Sequence, residues 1–392
     1  MSPLFTPEER RNKVLPITEI ETITFTATSS VMADDEGHVH PADEEREVEK
    51  TLFRIVTDGG CEGYSFGPIG TAEPLLERIL VGRDALNREE IWQKLYRSQR
   101  INNTTLTEPV MATVDEALWD LAGRYAGLPI HKLIGANRER VPAYASTMIG
   151  DEDKGLTTPE DYADFAEECL ERGYPAYKLH TLFPPYDQDW ERDAETCRAV
   201  AERVGDEMDL MLDCSAHYSR MEALQLGRVL EELDFYWYEE MMHEQSMSAY
   251  QWLHNKLDIP LAGPETQKAR GKKGIRAEGI KHDVVDICRT GVYDVGGITP
   301  VLKTVGLCES FNIALELHGG GAAHLQILGA MGIPGEYYER GLLHPEIEYV
   351  PQPPWLNEPI DPMDEEGMVT IPQLPGLGYD IDWDYVDDHR VE

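Results

Sequence analysis

The chain has 392 residues, 41% of them hydrophobic, enough for a sizeable core and long enough for a large barrel plus a second module. Its 73 acidic residues against 35 basic ones give a net charge of −38, which argues against a nucleic-acid-binding face. Spread along the whole sequence and poor in Lys, that charge points to a surface adapted to high salt.

No apolar run approaches the ~20 residues of a membrane span, and the N-terminus has no signal-peptide core. Six cysteines without a CxxC pair suggest reduced thiols in a cytoplasmic protein. Residues 17–30, ITEIETITFTATSS, alternate apolar and polar and predict a strand. Residues 50–57, KTLFRIVT, predict a second strand closed by a DGG turn. Between them VMADDEGHVHPADEE, residues 31–45, reads as a polar loop carrying Asp34, Asp35, His38 and His40. Helical periodicity follows over about 72–98 and 109–127, so the chain begins as an α+β unit.

From residue 141 strand and helix alternate. Strands are predicted at 142–147, 176–180, 210–214, 235–240, 259–263, 284–289 and 313–318, most of them apolar, as buried parallel strands are. The intervening helices carry start and stop signals: Thr158 as N-cap, Pro159 at the first position, Gly173 past the end. Seven or eight such units imply a (β/α) barrel of the TIM type rather than an open sheet. The tail, MVTIPQLPGLGYDIDWDYV, is broken by Gly and Pro and is expected to pack back on the first unit.

Chemistry in such a barrel sits at the C-terminal ends of the strands. Those ends carry Lys178 and His180, Asp213, Glu239 with Glu240, Glu265, and His318. Lys178 and His180, two apart on a strand, point to one face. Asp213, Glu239 and Glu265 follow one another at intervals of 26 residues. Three converging acids repel unless a cation lies between them. An all-oxygen donor set favours Mg2+ over zinc.

These segments resemble the mandelate racemase subgroup of the enolase superfamily, in the mandelate racemase/muconate lactonizing enzyme family. ATVDEALWDLAGRYAGLPIHKLIGA (112–136) is similar to its cap-to-barrel joint, and MLDCS, YWYEEMM and LAGPET to its metal-ligand strands. LELHGGGAAHL resembles its seventh-strand histidine segment, and GLGYDIDW its C-terminal return. The resemblance implies a modified (β/α)7β barrel over 138–345. Residues 1–137 and the returning segment 346–392 would form an α+β cap. It implies Mg2+ held by Asp213, Glu239 and Glu265, a cofactor role the superfamily exemplifies.

The family carries Lys-x-Lys where this chain has Lys178 and His180, which makes His180 the base and Lys178 the clamp on a substrate carboxylate. His318 matches the second acid–base group, and Glu339 an acid that hydrogen-bonds a substrate carboxylate oxygen. The family's aspartate 27 residues before the histidine is here Gly291. Asp286 inside the strand and Asp294 beyond its end are not obvious substitutes. The implied reaction is removal of a proton α to a carboxylate, then loss of a β-hydroxyl: a sugar-acid dehydratase, a homo-oligomer acting on a small carboxylate. The alternatives are a racemase, epimerase or cycloisomerase using the same ene-diolate. A relative that binds Mg2+ and a carboxylate without turnover also stays open, because of Gly291.

Overall fold

Period-two alternation yields β1, Ile17–Ala33, whose Ile23, Phe25 and Ala27 are buried on one face. It pairs antiparallel with β2, Val39–Thr57, which pairs with β3, Glu62–Phe66. This computed structural model describes residues 14–34, 38–183, 189–216, 218–265, 272–332 and 335–391. The stretch expected as a polar loop at 31–45 is, in its described part, the outer end of a long hairpin. Residues 43–47 of β2 are mostly exposed, so they lack the one-sided apolar pattern that marks a strand. Asp35 lies outside the described residues.

The helix Glu108–Ala126 joins this sheet to the rest. It starts on Thr107, whose hydroxyl accepts the Val110 N–H, and ends at Gly127 with φ +71°. Its buried acids are the fastenings. Asp115 accepts the N–H and hydroxyl of Thr299, Glu116 accepts the Ser65 hydroxyl, and Asp120 accepts the N–H groups of Tyr64 and Leu377.

The barrel strands are β4 (Arg140–Thr147), β5 (Ala176–His180), β6 (Asp209–Asp213), β7 (Trp237–Glu239), β8 (Leu261–Gly263), β9 (Ile287–Thr290), β10 (Ala314–Leu317) and β11 (Tyr338–Leu343). They pair in parallel in sequence order, and β11 pairs with β4, so the sheet curls around an interior. Side chains tie the β10 and β11 flanks: Glu316 accepts the Glu336 N–H at 2.7 Å and Glu339 the Gly319 N–H at 2.7 Å. β11 was not among the predicted strands, because YERGLL breaks the apolar pattern with three polar or glycine positions. The helix Pro159–Glu171 has the predicted cap, with Thr158 and Asp161 in a reciprocal capping box.

β12, Met368–Thr370, pairs with the start of β4. The tail then returns to the N-terminal sheet, as expected, where Trp355 and Tyr385 pack edge-on to Phe25 at 5.5 and 6.4 Å. Sheet, helix and tail form the cap. Its hairpin reaches the barrel mouth, where Lys154 donates to the Pro41 carbonyl and pairs with Asp43. Among the described residues no helix is long and apolar enough to cross a membrane.

Candidate active site

Alternation along each strand builds the site. On β5, Ala176, Lys178 and His180 face inward; so do Met211 and Asp213 on β6, Trp237 and Glu239 on β7, and Ile287 and Arg289 on β9. The lower member of each set packs the interior; the upper one meets the others at the mouth. There Asp213, Glu239 and Glu265 are all buried, and each offers an oxygen within 4.8 Å of the others. The three predicted ligands are therefore brought together.

Two buried cations neutralise part of this charge. Lys178 Nζ, 1% exposed, lies 2.9 Å from Glu339, 3.3 Å from Glu239 and 3.5 Å from Asp213. Arg289, fully buried, bonds Glu239 through Nε and reaches Glu339 and Glu265 at 3.1 and 3.4 Å. Arg289 was missed from the sequence. The signal was the one basic residue in VVDICRT, two positions from Ile287 and so on the same, inward face. For Lys178, burial would lower the pKa, but Glu239 and Glu339 outweigh it and hold the ammonium well above its usual range.

Glu339 is the meeting point of four donors. Its carboxylate accepts from Ser146 at 2.8 Å, Gly319 N–H at 2.7 Å and Arg289 at 3.1 Å, and pairs with Lys178 at 2.9 Å. Burial opposes ionisation, but Lys178 and Arg289 keep its pKa well below the carboxylate range. Glu339, expected as an acid that hydrogen-bonds a substrate carboxylate oxygen, lies here against the two cations and fixes them.

The histidines flank the acids. His180 Nε2 is 3.1 Å from Asp213, and its backbone is held by Thr147 and Tyr162. His318 Nε2 is 3.0 Å from Glu265, and its Nδ1 is 2.9 Å from Asp294. Burial alone would depress His318, but Glu265 and Asp294 raise its pKa well above the ordinary value. The sequence reading of Asp294 is thus corrected: it does reach His318. After β9 the chain turns at Gly291 into the short helix Val292–Val295, which swings Asp294 back over the strand end. A Cβ at Gly291 would lie 2.5 Å from the Asp294 carboxylate and 2.6 Å from the His318 carbonyl, so the glycine makes room for this substitution of partners. In the cap hairpin, Asp34 bonds His38 at 3.2 Å and His40 at 3.0 Å.

Residues 161–385 match the enolase C-terminal domain-like family, and residues 47–135 match the N-terminal domain of the mandelate racemase / muconate lactonizing enzyme family. The chain belongs to this family of the enolase superfamily, and it is an enzyme. A magnesium-complexed D-glucarate dehydratase from Agrobacterium tumefaciens superposes with a TM-score of 0.93 at 46% identity, over 97% of this chain and 100% of that one. The arabinonate dehydratase of Saccharolobus solfataricus is 28% identical over 86% of this chain and 89% of its own length. The D-galactarolactone cycloisomerase of Agrobacterium fabrum is 29% identical over 87% and 91%.

Proposed function

We propose that the chain is a Mg2+-dependent sugar-acid dehydratase that converts an aldarate or aldonate to its 2-keto-3-deoxy acid. D-Glucarate, substrate of the structural relative by name, is the first to test. On this reading residues 138–345 are the catalytic barrel, and 1–137 with 346–392 the cap. The observation that carries it is the carboxylate triad between an imidazole on β5 and another after β10.

The triad fits a divalent ion. Asp213, Glu239, Glu265 and Glu339 outnumber the cations Lys178 and Arg289 that touch them, and this excess of acid suits a divalent cation. All donors are oxygen, which suits Mg2+. When bound, the ion withdraws charge from the substrate carboxylate and so acidifies the α-proton.

His180 takes the α-proton, and the electron pair moves into the carboxylate to give an ene-diolate. Lys178, fixed by Glu339, presents positive charge to those oxygens. The pair then returns, the bond from the β-carbon to its hydroxyl breaks, and His318 Nε2 gives the departing hydroxyl a proton so that water leaves. Asp294 holds the His318 ring and steadies its charged form. The resulting enol becomes the 2-keto acid. All six cysteines are buried and free, in keeping with a reducing cytoplasm.

The test is a screen of aldaric and aldonic acids with Mg2+ for 2-keto product. Product from at least one acid, lost with EDTA and with His180→Asn, is the expected result. Epimer without keto product would move the chain to the epimerases.

A further inference from the structure

One buried imidazole has no place in that scheme. His324, on the helix Ala322–Ala330, is 3% exposed and is not one of the triad. Its Nε2 accepts the N–H of Val292 at 3.2 Å. Val292 opens the short helix that carries Asp294, and no side chain at its N-cap, Gly291, satisfies that N–H. The His324 ring also lies beside the backbone of Gly320, two residues past His318. One ring thus bridges the loop that carries Asp294 and the loop that carries His318.

An acceptor nitrogen must be unprotonated, so the bridge requires a neutral ring with its proton on Nδ1. Burial first, and then the charge of His318, push the His324 pKa down to about 4, which keeps the ring neutral. Two further features hold the same pair of loops: His318 N–H donates to the Thr290 carbonyl at 3.0 Å, and Gly291 leaves the space that the Asp294 carboxylate fills.

We propose that His324 is a positioning residue, a neutral strut whose bond to Val292 and packing against Gly320 set Asp294 against His318 and so fix the direction in which His318 delivers its proton. This rests on the reading of His318 as the acid for β-hydroxyl loss. His324 is remote from α-proton removal by His180. Its loss should therefore impair elimination while leaving the earlier step in place.

The experiment measures two rates in D2O with Mg2+ and the best substrate of the screen: deuterium entry at the α-carbon of recovered acid, and 2-keto product. His324→Leu removes the acceptor at similar size. It should lower elimination about 10–100-fold, the range for residues that orient a catalytic group, with KM within about threefold. Exchange should persist, so the exchange-to-product ratio rises by the same factor. His324→Gln restores an acceptor and should recover much of the product rate. Gly291→Ala, which displaces Asp294 with His324 intact, should raise the same ratio even if His324→Leu folds poorly. Exchange and elimination falling together, or neither changing, in His324→Leu and Gly291→Ala would overturn the proposal. His318→Asn separates the two readings: if it keeps full elimination, the role of His318 falls. If it is inactive in elimination while His324→Leu is normal, only the strut falls.

Discussion

The barrel interior has two layers built from the same strands and the residues just past them, two or three positions apart, and they obey opposite rules. The lower layer is Tyr144, Ala176, Met211, Trp237, Ala262 and their apolar neighbours, a closed plug. The upper layer is Lys178, Asp213, Glu239, Glu265 and Arg289, equally buried and almost wholly charged. Burying apolar groups stabilises a fold, whereas burying charges does so only when each is compensated. Stability is therefore expected to reside below and chemistry above, as in other barrels of this type.

The largest effect should come from Asp213→Asn. Losing one ligand should reduce turnover by at least ~10³-fold and weaken Mg2+ binding in calorimetry. The melting temperature should fall only modestly: His180 and Lys178 hold Asp213 ionised against burial, and Lys178 keeps Glu239 and Glu339 when it is gone. Collapse of the fold would break the division of labour between the layers.

Met211→Ala is the converse. Met211 is fully buried two residues below Asp213, and its truncation should cost about 2–5 kcal/mol of stability. Denaturant unfolding reads this, and kcat/KM per folded molecule should stay within about threefold of wild type. A large kinetic defect at full folding would mean that the plug shapes the mouth.

How much of this was legible in the sequence follows the same line. Apolar strands ending in a carboxylate at a fixed interval of 26 residues made the triad readable, because each strand end lies one βα unit from the next. Asp294 was unreadable by counting, since the helix Val292–Val295 returns it to His318 by a path no strand register predicts. Glu339 was found by resemblance, but its company was not. The donors Ser146, Lys178, Gly319 and Arg289 come from four separate elements, so their convergence, and with it the ionised state, needs the folded barrel. The outer hairpin was hidden because its strands have no buried face over residues 43–47.

Trp237 belongs to both layers and sharpens the contrast. Its ring packs the plug, and its indole N–H donates to Glu239 at 3.1 Å. Trp237→Phe keeps most of the packing and removes the donor. Mg2+ affinity should fall about tenfold, as for partners that orient a ligand, with only about 1 kcal/mol lost in stability. Stability lost with affinity intact would assign Trp237 to the plug alone.

The smallest effect concerns the charge outside both layers. The net charge is −38, and the exposed face shows how it is managed: Arg203 alone pairs with Glu160, Asp164 and Glu167 at 2.5–2.7 Å. Surface repulsion is screened over about 10 Å at 0.1 M salt and about 3 Å at 1 M. Added KCl should therefore raise the melting temperature, by a few degrees across that range. The buried network is screened far less, so Asp213→Asn should keep the wild-type salt slope. Arg203→Ala, which leaves three neighbouring acids without their counter-charge, should steepen it. A melting temperature that is flat or falls with salt would remove the high-salt reading of the composition. A slope abolished by Asp213→Asn would place the salt response at the barrel mouth, and the two kinds of negative charge would then act as one.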